Sequence, residues 1–226
     1  MTLAAIATIV ASYGIGTIPV PYLAGRMARG IDIRAVGSGN VGASNVWQSV
    51  SRALVVPVGL AQIAQGLAAV LIARAAGQSG GVQAAAGVAV LLATDWNPWL
   101  RFSGGRGVGQ TIGVLVAIAP WALAAFIIVS LIGVALRAIP QSVALALVVT
   151  PFAAAFSGEP AAVVAACAAL ATIAMLKRVL ANAAPDPACA RPHVWLIRLA
   201  YDRDIRDRDA WVRRGLPIQT GGPAKP

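Results

Sequence analysis

Charge is what this chain has least of. Only 12% of its 226 residues are Asp, Glu, Lys or Arg, against roughly 25% in a soluble globular domain. That deficit excludes an ordinary water-facing surface. Histidine is nearly absent too: His193 stands alone, which excludes a multi-histidine metal site. The two cysteines, Cys167 and Cys189, lie in different surroundings with no metal-ligand spacing, and reduced, inert thiols are the default. Acids are scarcer than bases, eight against eighteen, for a formal net charge of +10. The bases are scattered between apolar segments, so no contiguous basic face exists for nucleic acid. Aromatics are few, at 6%.

What fills the chain is apolar and mostly aliphatic. Hydrophobic residues make up 58%, chiefly Ala, Val, Leu and Ile in long blocks. A straight helix needs about 20 apolar residues to cross a bilayer, and several blocks approach or exceed that length. The reading is an all-α integral membrane protein built as a seven-helix transmembrane bundle. The first span covers residues 3–22 and is broken in its second half by Gly14, Gly16, Pro19 and Pro21, because proline removes a helical hydrogen bond and clashes with the preceding turn. A polar stretch, 24–52, follows. Further spans are expected at 53–75, 82–96, 108–118, 121–137, 140–156 and 161–180, with Pro120 separating the fourth from the fifth.

Charge orients this bundle. The first basic residue is Arg26, beyond the first apolar block, whereas a secretory signal carries its positive charge in front. The first segment is therefore expected to be a permanent helix with its N-terminus outside. Every Lys and Arg except Arg74 then falls on the cytoplasmic side, as the positive-inside rule requires. Residues 1–180 form the transmembrane domain and 181–226 a basic cytoplasmic tail. Within the tail, 192–214 has an apolar stripe of Val194, Ile197, Tyr201, Ile205 and Val212. Asp202–Arg206, Asp204–Arg208 and Asp209–Arg213 are i,i+4 pairs, so an interfacial amphipathic helix is expected there.

Two inward loops are rich in glycine. The first holds 37-GSGNVGASN-45 and the second 104-GGRGVGQT-111. Glycine lets a ligand approach backbone N–H groups. The second loop leads straight into a helix, whose free N–H groups beside Arg106 suit an anion. The same loops also read as turns at the membrane face with snorkelling arginines. Asp95 ends the third helix; a carboxylate at that depth is a functional candidate by default, or a headgroup-level residue paired with Arg101 or Arg106.

The stretches 12-SYGIGTIPVPYLAGRMARGIDIRAVGSGNVGASNV-46 and 98-PWLRFSGGRGVGQTIGVL-115 resemble the first and second cytoplasmic motifs of the bacterial acyl-phosphate:glycerol-3-phosphate acyltransferases, the PlsY family. The resemblance covers about residues 1–180. It implies acyl transfer from an acyl phosphate to the 1-hydroxyl of glycerol 3-phosphate in the plasma membrane. Lysophosphatidate and inorganic phosphate are the products, with active loops in the cytoplasm. Partners are those two substrates and membrane lipid; no cofactor, metal or nucleic acid is implied. Matched by motif, Ser38, Gly39, Asn40, Gly42 and Asn45 keep the first and Gly104, Gly105 and Gly107 the second, with Arg106 where many members have lysine. The candidate catalytic residues are Ser38 and Asp95. The candidate phosphate ligands are Gly39, Asn40, Gly42, Asn45, Gly104, Gly105, Arg106, Gly107 and Lys177.

Four positions depart from the family pattern. Thr94 stands where the family has histidine before its second motif, and Gln48 where it has arginine. In the third motif, 172-TIAMLKR-178, Thr172 replaces histidine and Met175 asparagine, while Lys177 and Arg178 stay basic. The alternative reading is a degenerate member that binds a phosphate-bearing lipid or metabolite, or a membrane partner, without turnover.

Overall fold

A computed structural model describes residues 1–182 and 193–203. Among these residues regular structure is helical, with no strand. The helices are α1 (Leu3–Gly16), α2 (Val20–Arg29), α3 (Ala43–Ser49), α4 (Val55–Ala75), α5 (Gly80–Asp95), α6 (Val108–Ile118), α7 (Pro120–Ala135), α8 (Ile139–Phe156), α9 (Ala161–Leu180) and α10 (Val194–Tyr201). Short 3-10 turns sit at Ile33–Ala35 and Pro98–Leu100. Four stretches are long and apolar enough to cross a membrane: Leu3–Arg29, Val55–Ala75, Ile139–Phe156 and Ala161–Leu180. Large apolar side chains such as Val10, Leu60, Trp121, Leu131 and Phe152 face outward, which is stable only against lipid or another apolar surface.

The breaks fall where proline and glycine put them. The first apolar block stops at Gly16 and restarts at Val20 as α2. That gap leaves helix-end carbonyls deep in the bundle, and Gln65 on α4 covers them. Its Nε2 donates to Ile15 O and Ile18 O, each at 2.9 Å, while its Oε1 accepts from Gln110 Nε2 on α6 at 3.0 Å. Between α6 and α7, Ala119 leaves helical geometry (φ −150°, ψ 69°), and Pro120 opens α7, where its missing N–H costs nothing.

Small residues set the interhelical spacing. Gly66 on α4 lies against the backbone of Gln110, and Gly113 on α6 against Ile63 and Leu67 of α4. Backbones that approach this closely pack well in lipid, where association rests on fit rather than on water exclusion. One core of Leu115, Phe126, Leu147 and Cys167 joins α6–α9. A second, of Val70, Val90, Leu91, Val114 and Leu170, joins α4, α5, α6 and α9. A third, of Ile33, Val41, Val46, Val50 and Leu100, lies under the loops. The loop between α2 and α4, the loop between α5 and α6, and the segment after α9 gather at one end of the bundle.

Two expectations need correction. The polar stretch 24–52 is not a plain loop: α2 runs to Arg29, and α3 forms inside the stretch. The tail helix is shorter than 192–214. It ends at Tyr201, where Asp202 adopts a left-handed conformation (φ 58°). The Asp202 carboxylate reaches Arg106 and Arg178. The pairs Asp202–Arg206, Asp204–Arg208 and Asp209–Arg213 each involve residues outside the described ones.

The glycine contacts predict a contrast. Gly113→Ala should destabilise the protein by about 1–3 kcal/mol through overpacking of α4 on α6. Gly59→Ala, whose new Cβ meets no atom within 4 Å, should be neutral or slightly stabilising through helix propensity. Thermal unfolding of the two variants in one detergent checks this.

Candidate active site

The first glycine loop is built around one amide. Asn45, fully buried on α3, donates from Nδ2 to Ile33 O (3.0 Å), Val36 O (3.1 Å) and Asn40 O (3.0 Å). Its Oδ1 accepts from Ser38 N at 3.3 Å and from Ser49 Oγ at 3.0 Å. Gly37 has φ +57°, and a Cβ there would strike Asn45 Oδ1 and Ser49 Oγ, so both the left-handed turn and the crowding require glycine. Upstream, Asp32 caps the 3-10 turn through Arg34 N and pairs with the Arg34 guanidinium at 2.6 Å. That guanidinium holds the Asp32 carboxyl below the usual carboxylate range. Arg34 also donates to Leu100 O at 3.0 Å, joining the first loop to the second.

The second loop closes the end of α5. Gly104 N donates to Asp95 O (3.2 Å) and Gly105 N to Thr94 O (3.1 Å), which satisfies two helix-end carbonyls. A Cβ on Gly105 would lie 2.6 Å from Val41 O, so the two loops touch backbone to backbone. Gly107 turns the chain at φ +57° into α6. Asn97 anchors the start of the loop, donating to Thr17 O at 2.8 Å and accepting from Trp99 N at 3.0 Å.

Charged groups converge on these loops. Lys177, buried on α9, donates to Phe102 O at 3.1 Å and lies 5.3 Å from the centre of the Trp96 ring, a cation–π distance. Arg106 forms an ion pair through Nε with Asp202. Arg178 sits 3.7 Å from the same carboxylate and donates to Leu199 O and Pro140 O. Burial pushes the Asp202 carboxyl above its ordinary range, while Arg106 and Arg178 oppose that rise. Asp95 is fully buried, and among the described residues neither carboxylate oxygen has a hydrogen-bond partner. Its Oδ1 faces Gly107 at the start of α6, and Lys177 and Arg106 are the cations that act on it. No group of three or more potential metal-ligating His, Cys, Asp or Glu residues occurs among the described residues.

Most of the expected site residues therefore meet at one end of the bundle, in three different conditions. Arg106, Lys177 and Asp95 bring charge. Ser38, Gly39, Asn40 and Gly42 are half-buried; the Ser38 hydroxyl accepts from Asn40 N at 3.4 Å. Asn45, Gly104 and Gly105 spend their donors on the protein itself. Thr94, in the histidine position, donates to Val90 O (2.9 Å) and Gly16 O (3.2 Å), joining α5 to α1. The sequence reading missed Asp32, Arg34, Asn182 and Asp202. Asn182 donates to Gly39 O at 3.1 Å and to Gly104 O at 2.8 Å.

Residues 6–183 match the family described as glycerol-3-phosphate acyltransferase. The chain belongs to that family. It is 33% identical over 225 residues to glycerol-3-phosphate acyltransferase 5 of Dehalococcoides mccartyi, an alignment covering 95% of each chain. It is 41% identical over 122 residues to the glycerol-3-phosphate acyltransferase of Desulforudis audaxviator, covering 54% of this chain and 61% of that relative. A crystal structure of PlsY (YgiH), an integral membrane glycerol 3-phosphate acyltransferase in its glycerol 3-phosphate form, superposes with a TM-score of 0.72 at 26% identity. That match covers 77% of this chain and 88% of the other. Membership bears out the resemblance read from the two motifs, and with the apolar helices it makes the chain a multi-pass integral membrane protein.

The Asn45 network predicts a scaffold effect. Asn45→Ala leaves one buried and two part-buried carbonyls without that donor. It should cost about 2–3 kcal/mol, given a penalty of about 1–3 kcal/mol for an unsatisfied buried group. Ser49→Ala, which removes one of five contacts, should cost less than half as much. Chemical or thermal unfolding of the pair in detergent reads both.

Proposed function

We propose that this glycerol-3-phosphate acyltransferase takes its acyl group from an acyl phosphate, with both substrates' phosphates held between the two glycine loops. The observation that carries the reading is the meeting of both loops, Arg106 and Lys177 at one end of an apolar bundle. Each substrate brings a phosphate, and the donor also brings an acyl chain. The chain lies among the helices while the phosphates stay at the polar end. Arg106 engages Asp202 through Nε, and its two terminal NH2 groups form a fork that matches a phosphate. Lys177 supplies a second cation, and the Ser38, Gly39, Asn40 and Gly42 segment supplies small donors without bulk.

The chemistry balances simply. The 1-hydroxyl oxygen of glycerol 3-phosphate attacks the acyl carbon and forms the new ester C–O bond. The bond from acyl carbon to the phosphate oxygen breaks, and inorganic phosphate leaves. Asp95 takes the hydroxyl proton, a role open to a carboxylate with no hydrogen-bond partner among the described residues. Arg106 and Lys177 offset the charge that builds on the acyl and leaving oxygens. Ser38 orients the attacking hydroxyl. Thr94 stands at the position where the family resemblance places histidine, and its hydroxyl serves helix packing.

The topology that suits this chemistry has seven passes, the N-terminus outside and the loops in the cytoplasm, in the plasma membrane of a bacterium. Residues 1–180 form the transmembrane unit and 181–226 its basic tail. The distribution of Lys and Arg supports the orientation.

Purified protein given an acyl phosphate and glycerol 3-phosphate should release lysophosphatidate and inorganic phosphate in equal amounts. Arg106→Ala should lower kcat/KM by at least about 100-fold, the usual scale for removing one such charge-stabilising donor. Phosphate-ligand binding with no product above a protein-free control would contradict the reading. Asp202→Asn removes the charge that competes for Arg106, so KM for glycerol 3-phosphate should fall severalfold. An unchanged or higher KM would remove Asp202 from the account of binding.

A further inference from the structure

The segment that follows α9 returns to the loops. Ala181 leaves the helix with φ 48° and ψ −177°, while its N–H still bonds Lys177 O at 3.0 Å. Arg198 on α10 donates to Val179 O (3.1 Å) and Leu180 O (3.3 Å), so the last carbonyls of α9 are held. The next residue, Asn182, then sits between the two glycine loops. Its two amide hydrogens have two acceptors on different loops: Gly39 O at 3.1 Å and Gly104 O at 2.8 Å. These partners lie 143 and 78 residues away in sequence. Its Oδ1 is buried and has no hydrogen-bond partner among the described residues.

We propose that Asn182 is a positioning residue that fixes the separation of the two glycine loops, and with it the spacing of the two substrate phosphates. The inference rests on the reading of these loops as the substrate site. The physical reason is the geometry of the carboxamide. A planar NH2 with two hydrogens a fixed angle apart holds two carbonyls at one separation. Asn45 braces the first loop within itself and the end of α5 braces the second, while Arg34 to Leu100 O and the Gly105–Val41 backbone contact join the two away from these carbonyls. Asn182 adds the tie that directly links the Gly39 and Gly104 carbonyls. A misplacement of about 1 Å between reacting groups can cost roughly 100-fold in rate, so one tie of this kind has leverage on turnover. It has little on global stability, because the helices pack without it.

The test uses the full chain in detergent or nanodiscs. Asn182→Ala removes the tie. Asn182→Asp replaces the two donors with a carboxylate facing two carbonyls. Hydrogen–deuterium exchange should quicken together in peptides covering 37–45 and 104–111 in both variants, with the thermal midpoint close to that of the parent. In the acyl-transfer assay, kcat should fall about tenfold or more in Asn182→Ala and further in Asn182→Asp. Asn182→Gln, which keeps both donors, should recover part of the loss. Unchanged exchange in either loop overturns the proposal, as does a loss of activity that only tracks a lowered thermal midpoint. If the parent itself shows no acyl transfer, the functional reading fails, while the exchange experiment still decides whether Asn182 ties the loops.

Discussion

Irregular backbone at the edge of an apolar bundle must find its hydrogen bonds within the protein. Lipid offers none, and each unsatisfied group costs several kcal/mol. This constraint organises the whole loop end of the molecule. Where α1 breaks, Gln65 covers the exposed carbonyls. Where the first loop turns, Asn45 covers three more. Asn97 and Lys177 serve the second loop, and Asn182 serves both. Side-chain amides recur because one Asn or Gln offers two donors and an acceptor without charge. The glycines do the complementary task of letting backbone approach backbone, as Gly105 does with Val41.

A site braced in this way leaves few groups uncommitted, and those few define its chemistry. Asp95 is buried with no hydrogen-bond partner among the described residues, between the influence of Lys177 and Arg106. The N–H groups of Gly104 and Gly105 are occupied by the end of α5. An anion at this loop would therefore rely on side-chain cations and on the first turn of α6. That shifts the weight of phosphate binding from glycine N–H groups toward Arg106 and Lys177. Asp202 adds a further condition, since a carboxylate already occupies one edge of the Arg106 guanidinium.

The helices were largely legible in the sequence, because long apolar blocks with glycine and proline at their ends leave little choice. Residues 161–180 and 108–118 were expected where α9 and α6 lie. The family resemblance was legible too, because two long motifs carry it. The missed helix, α3, is short, and its Ser44, Asn45, Val46 and Ser49 have weak helical preference. Tertiary packing stabilises it, with Val46 and Val50 in the core beneath the loops. The role of Asn45 was open for a different reason: a sequence does not say whether an amide faces a ligand or its own backbone. Asp202 shows the limit of local patterns, since its carboxylate reaches Arg106 and Arg178, partners far from it in sequence that no i,i+4 rule would suggest. Asn182, beyond the last span and outside any motif, gave no signal at all.

The central claim is that the two glycine loops, Arg106 and Lys177 together hold the substrate phosphates. The most direct measurement is an experimental structure of this chain in a bilayer mimetic with glycerol 3-phosphate bound. The account predicts the phosphate within hydrogen-bond distance of the Arg106 guanidinium, between the segments 37–45 and 104–111, with the 1-hydroxyl turned toward Asp95. A phosphate bound elsewhere, with the Arg106 end groups left empty, would contradict it.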